Sequence, residues 1–147
     1  YYDLDSVGKK VVMVGSGLTA CEVALHLANN GRDVTVLCRR DMMAYETFGY
    51  YRNALLDAMD ARGIHQMLKT KTLSIAKDGV TVEKDGETFV VPADTVIYST
   101  GIRPDTAAVE ELKALAGEIP VKVIGDALAS GKMGDAVRGG YMAAMEI

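Results

Sequence analysis

Gly15, Gly17 and Ala20 stand in the spacing G-x-G-x-x-A, directly after the apolar run at 11–14. The first glycine allows a tight turn out of a strand, and the second lets backbone approach a ligand. The small third residue lets a helix pack closely on that strand. The amides of Ser16, Gly17, Leu18 and Thr19 then lie at a helix N-terminus, where the macrodipole favours anions. The chemistry implied is non-covalent capture of a dinucleotide pyrophosphate. About 20 positions past the glycines, a second strand would end in a carboxylate if it bound the free ribose hydroxyls of NAD(H). That place holds Cys38, followed by Arg39 and Arg40. Two guanidiniums offer bidentate contacts to a phosphate and favour NADP(H). The other reading makes Arg39 and Arg40 solvated charges and gives the ribose to Asp41.

The remaining chemistry-bearing residues form no second constellation. Glu22 sits one turn into the first helix, where a carboxylate is favourable in any protein. His26 and His65 are the only histidines, and neither has a partner in sequence that a catalytic or metal role would need. Tyr45, Tyr50 and Tyr51 could line a nicotinamide or adenine pocket, though core and rim packing is their ordinary use. Cys21 and Cys38 make no C-x-x-C pair, which speaks against a dithiol or metal centre and suits two reduced thiols in a cytoplasmic protein. No catalytic residue and no metal ligand is assigned.

These residues need a strand, a turn, a helix and a second strand to hold them. The continuous apolar run at 11–14 suits a parallel strand buried on both faces. A helix over 18–29 has Ala20, Val23, Ala24, Leu27 and Ala28 on one stripe, and Asn30-Gly31 ends it. Residues 33–38 alternate and form the second strand. A second helix over 47–61 groups Phe48, Tyr51, Leu55, Ala58 and Met59 on one face, and a third strand covers 64–68. The pattern then changes. Short β-rich runs at 69–76, 80–83 and 88–91 are separated by Asp78-Gly79 and Asp85-Gly86, which signal hairpins. This predicts a three-stranded antiparallel meander inserted before a further buried strand at 94–99. Beyond it come a weak helix at 107–116, a short strand at 121–124 and a helix over 135–147.

Composition narrows the class. The 147 residues carry a net charge of -4, and 49% are hydrophobic against 24% charged. That is ordinary for a globular domain, able to bury ~68% of its unfolded surface. The acidic balance argues against a nucleic-acid surface. No apolar run approaches the ~20 residues of a membrane span. The first residue is Tyr1, with no Met and no signal-like segment, so the expectation is a piece of a larger protein.

A sequence of motifs now carries a resemblance: GSGLTACEVALHLANNGRDVTVL, the meander, DTVIYSTGIRPD, VKVIGDA and GDAVRGGYMAAMEI. From about Gly8 to Ile147 the chain resembles the pyridine-nucleotide-binding domain and C-terminal return of flavoproteins with two dinucleotide-binding domains. Thioredoxin reductase and glutathione reductase belong to them. It is most similar to the C-terminal part of the NADH:flavin oxidoreductases that include 2-enoate reductase and 2,4-dienoyl-CoA reductase. The Arg-Arg segment is also similar to that of thioredoxin reductase, an NADPH enzyme.

The resemblance implies an α/β fold: a Rossmann-like parallel sheet of order 3-2-1-5 with the inserted meander, and then a return segment of an FAD domain. It divides the chain into a nucleotide domain at 9–103 and a partial flavin-domain segment at 104–147. Thr100, Gly101 and Ile102 mark the crossing back to the flavin domain and join the nucleotide site, and Glu22 matches a helix carboxylate near the nicotinamide. Gly125 and Asp126 would hold the FAD ribityl or phosphate side. Asp135, Ala136 and Val137 would start a helix facing the flavin pyrimidine edge.

The first glycine turn that grips FAD, a redox cysteine pair and an N-terminal barrel with its FMN and iron–sulfur cluster are not in this sequence. The implied activity is hydride transfer from NAD(P)H to FAD and electrons onward to an enoate, dienoyl or other small-molecule acceptor. The partners implied are N-terminal flavin domains of the same chain, or further copies of this piece through exposed apolar surface. A stand-alone nucleotide-binding module and a simple NAD(P) dehydrogenase remain the alternatives. The piece alone is expected to be inactive.

Overall fold

A computed structural model describes residues 3–146. The elements are β1 (Lys10–Val14), α1 (Leu18–Asn29), β2 (Asp33–Leu37), α2 (Gly49–Ala61), β3 (His65–Met67), β4 (Lys71–Ala76), β5 (Gly79–Lys84), β6 (Glu87–Pro92), β7 (Thr95–Tyr98), α3 (Thr106–Ala116) and α4 (Met133–Met145). Short 3-10 turns occupy Leu4–Ser6 and Gly125–Ala127. The chain divides into two compact units, Tyr1–Thr100 and Gly101–Ile147.

In the first unit a parallel sheet runs β3-β2-β1-β7, and a separate antiparallel sheet runs β4-β5-β6. The last strand of the nucleotide fold therefore lies beside the first, as the resemblance implied. Strand alternation decides what covers each face. Val11 and Met13 of β1 and Val34 and Val36 of β2 join Ala20, Ala24 and Leu27 of α1 in one core. The intervening Val12 and Leu37 pack with Val80 and Val82 of the meander in a second core. β1 is thus buried on both faces, with Val11, Val12 and Met13 at 1% exposure or less. Burying one such side chain contributes roughly 1.5–3 kcal/mol, so β1 ties the two cores together.

The chain reversals follow the sequence closely. Asn30 caps α1, Gly31 takes φ +76, and Gly31 and Arg32 donate back to the carbonyls of Ala28 and Leu27. Gly63 repeats the device after α2, at φ +68. Both are Schellman closures, which tie off orphan carbonyls at a helix end. Asp85 and Gly86 both have positive φ and join β5 to β6, the backbone that a two-residue hairpin demands.

Two expectations change. On α2 only Leu55 and Met59 are buried, whereas Phe48 is 84% exposed and Tyr51 is 51% exposed. The helix begins at Gly49, so Phe48 is its cap and stands outside the helical stripe. Residues 121–124 form no strand. A strand needs a neighbour for its ladder, and both sheets lie wholly in the first unit. The second unit contains α3, the irregular segment, the 3-10 turn and α4, with no buried side chain among its described residues.

Candidate functional site

The site forms where β1 ends and α1 begins. Gly15 leaves β1 with φ +112, and a Cβ there would overlap the carbonyl oxygen of Ser99. Ser99 in turn donates its N–H to the Val14 carbonyl at 2.8 Å. The ends of β1 and β7 therefore touch through backbone, and this position admits only glycine. The same contact brings Thr100, the residue after Ser99, to the edge of the turn.

Gly17 differs. It caps α1 with φ -67 and ψ 175, an extended conformation open to any residue. No atom lies within 4 Å of where its Cβ would stand. The protein itself does not require glycine here, so a bound group that approaches the backbone closely would explain it. No side chain caps the helix start, and Gly17, Leu18 and Thr19 are exposed. The first amides of a helix have no partner within it. Together they form an anion cradle with its macrodipole pointing outward. Ala20 behind them is fully buried, as close helix–sheet packing requires.

Ser16 knits the turn to the loop after β2. Its hydroxyl donates to Cys38 Sγ at 2.8 Å, and its carbonyl accepts from the Ala44 N–H at 2.8 Å. The Cys38 thiol donates to the Met42 carbonyl at 3.4 Å. Cys38 is 1% exposed and belongs to the helix-side core. Its side chain braces the loop from inside instead of lining a ligand. Continuing the β2 alternation through 34, 36 and 38 is the signal that assigns it to that face. Arg39 and Arg40 are exposed beyond it. The loop backbone is held by Lys69, which donates to the Arg40 carbonyl at 2.9 Å, and by Thr70, which donates to the Cys38 carbonyl at 2.8 Å. The Arg40 guanidinium lies 4.1 Å from the centre of the Tyr45 ring.

Cys21 is also buried, and its thiol donates to the Ser16 carbonyl at 3.6 Å. Burial pushes its pKa up to about 11, so it is a poor nucleophile at neutral pH. Glu22 is exposed and accepts a 2.6 Å hydrogen bond from the Tyr51 hydroxyl. That bond to Glu22 raises the Tyr51 pKa. Tyr45, Tyr50 and Tyr51 are 58%, 93% and 51% exposed, so they are rim residues and not core. His26 and His65 are both exposed. Among the described residues no three His, Cys, Asp or Glu side chains come together as metal ligands. No helix among them is long and apolar enough to cross a membrane.

In the second unit, Gly101 has φ +98 and Ile102 is 68% exposed. Gly125 has φ +58 and lies in contact range of Ala136. Asp126 accepts from the Gly131 N–H at 3.2 Å, and Asp135 accepts from the Lys132 N–H at 2.9 Å as the third residue of α4. Val137 is 68% exposed. A cavity of about 300 Å³ lies between 122–129 and α4, with Ile124, Asp135, Gly139 and Met142 on its walls. At its rim Lys122 pairs with Glu146 and lowers that carboxyl's pKa. Both aspartates are thus engaged in local structure, and Asp135 puts a carboxylate at the α4 N-terminus.

Comparison with known proteins agrees with this geometry. A family described as pyridine nucleotide-disulphide oxidoreductase matches residues 2–125. An NADH oxidase of Thermoanaerobacter brockii is 32% identical over 142 residues, 95% of this chain and 21% of that protein. A ferredoxin–NADP reductase of Ignicoccus hospitalis is 34% identical over 103 residues, 66% of this chain and 32% of that protein. Among solved structures, a 2-naphthoyl-CoA reductase superposes with a TM-score of 0.75 at 24% identity, over 97% of this chain and 22% of that one. The chain thus spans between a fifth and a third of the curated relatives described here.

Proposed function

The chain belongs to the pyridine nucleotide-disulphide oxidoreductase family, and from that premise we propose that it is the NAD(P)H-binding part of a flavoprotein oxidoreductase. One observation carries this reading: the uncapped start of α1, with open space over a Gly17 that the fold does not need. The amides of 16–19 would bind the pyrophosphate, with Gly15 fixing the turn. Arg39 and Arg40 would take the 2′-phosphate of NADP(H), and Thr100 would border the nicotinamide side together with Glu22.

When bound, the nicotinamide would supply a hydride for FAD, for onward reduction of an enoate, dienoyl or other small-molecule acceptor. This chain's own residues bind and orient the donor. FAD would rest mainly on parts of the protein that this chain does not span, with Gly125, Asp126, Asp135, Ala136 and Val137 at the border. FMN and an iron–sulfur cluster would belong to those same parts. We place the protein in the cytoplasm, a compartment that keeps unpaired thiols such as Cys21 and Cys38 reduced.

Titration of the 147-residue chain with NADPH and with NADH by calorimetry tests the reading, with bound flavin read by absorbance. NADPH should bind more tightly than NADH, and flavin should be substoichiometric. Tighter NADH binding would overturn the arginine assignment. Stoichiometric FAD on the purified chain would overturn the division of cofactors.

A further inference from the structure

We propose that Tyr45 is a specificity-determining positioning residue, which makes Arg40 the better ordered of the two arginines that read the ligand's 2′-phosphate. This inference rests on the nucleotide reading above. A surface arginine ordinarily samples many rotamers, and ordering it costs binding energy. Arg40 is held in two ways. Its carbonyl is fixed by the Lys69 N–H at 2.9 Å, and its guanidinium carbon lies over the Tyr45 ring, 4.1 Å from the centroid. A guanidinium on a ring engages through its face, while its N–H donors radiate in its plane toward a phosphate.

Tyr45 is itself placed by the turn. Its neighbour Ala44 is buried, has φ +49, and donates its N–H to the Ser16 carbonyl at 2.8 Å. The ring that orders Arg40 is therefore anchored to the turn that takes the pyrophosphate. The phosphate cradle and the phosphate reader share one frame. Among the described residues Arg39 makes no ring stack.

The test uses the full chain and four variants, Tyr45→Ala, Tyr45→Phe, Arg40→Ala and the double variant Arg40→Ala with Tyr45→Ala. Each is titrated with 2′,5′-ADP and with 5′-AMP, which differ by the 2′-phosphate. Tyr45 is 58% exposed, so its replacement leaves the core untouched, and circular dichroism should match the parent. Tyr45→Ala should weaken 2′,5′-ADP by about two- to fivefold, the worth of an exposed stack, and leave 5′-AMP unchanged. Tyr45→Phe should restore parental binding, and the double variant should bind like Arg40→Ala. Equal effects on both ligands, or none on either, would overturn the proposal, as would full additivity of the two substitutions. If the parent binds neither ligand, the nucleotide reading itself fails, an outcome distinct from a failure of the Tyr45 variant alone.

Discussion

Gly17→Ala separates a glycine kept for a ligand from one kept for the fold. The backbone at Gly17, φ -67 and ψ 175, suits alanine, and no atom lies within 4 Å of the added methyl. Replacing glycine where the backbone is compatible stabilises by ~0.4–1 kcal/mol through the unfolded chain. Alanine is a poorer helix cap than glycine, which costs a similar amount. The net change in stability should stay below about 1 kcal/mol, a shift of a few degrees in Tm at this size.

Binding should respond quite differently. A methyl group at the cap holds an anion away from the amides. Losing one charge-assisted hydrogen bond costs ~1.5–3 kcal/mol, or about 10- to 150-fold in Kd. Gly15→Ala is the counterpart. There a Cβ meets the Ser99 carbonyl at a φ of +112, and backbone strain alone costs ~1–3 kcal/mol. Thermal melts at 222 nm and NADPH calorimetry on both variants would read the contrast. A Gly17→Ala protein that binds NADPH within twofold of the parent would refute the ligand account of Gly17. So would one that loses as much Tm as Gly15→Ala.

Two further outcomes follow from the titrating groups. Burial lifts the Cys21 pKa from 9.0 to about 11, so the stability linked to this group is complete below pH 9 and is lost as pH rises toward 11. Its alkylation by iodoacetamide at pH 8 should require unfolding, and prompt modification of the native chain at Cys21, read by mass spectrometry, would contradict this. Tyr51 titrates above its ordinary value because its hydroxyl is bonded to Glu22. Spectroscopic titration at 295 nm should show one tyrosine ionising late, and Glu22→Gln should bring it back toward the others. A profile unchanged by that substitution would mean that the bond does not form in solution.

Much of the first unit was legible because its signals are backbone signals. The buried run at 11–14, the glycines at 31 and 63 and the Asp-Gly turn at 85–86 each state a local conformation, and the structure adopts it. The strand expected at 121–124 failed for a non-local reason. Val, Lys, Val and Ile favour a strand, but propensity cannot supply the neighbour that a ladder needs. The distance from the glycines located Cys38 just past β2, and only the alternation through 34, 36 and 38 gives its direction. The thiol turns inward to Ser16 and Met42, which leaves the arginines to reach outward. The stack of Arg40 on Tyr45 lies within an irregular loop, where no helical or strand period links positions five apart.

The two units differ in how they satisfy their own apolar residues, and this bears on what the chain is. The first unit has two cores and keeps its site on their edge. The second has none among its described residues. Val137, Tyr141 and Met145 recur every fourth residue along α4 and are 65–70% exposed, and Leu112 and Leu115 of α3 are 64% and 78% exposed. A helix with such a stripe gains most of its stability from packing that stripe on something else. The stripe therefore fits a helix that is one wall of a larger flavin-binding unit, and the same surface would draw copies of this piece together. The residues assigned to FAD lie on the unit without a core, and those assigned to the nucleotide, Gly101 and Ile102 aside, lie on the unit with two. Nucleotide binding should accordingly belong to the chain itself, whereas flavin binding should depend on what covers α4.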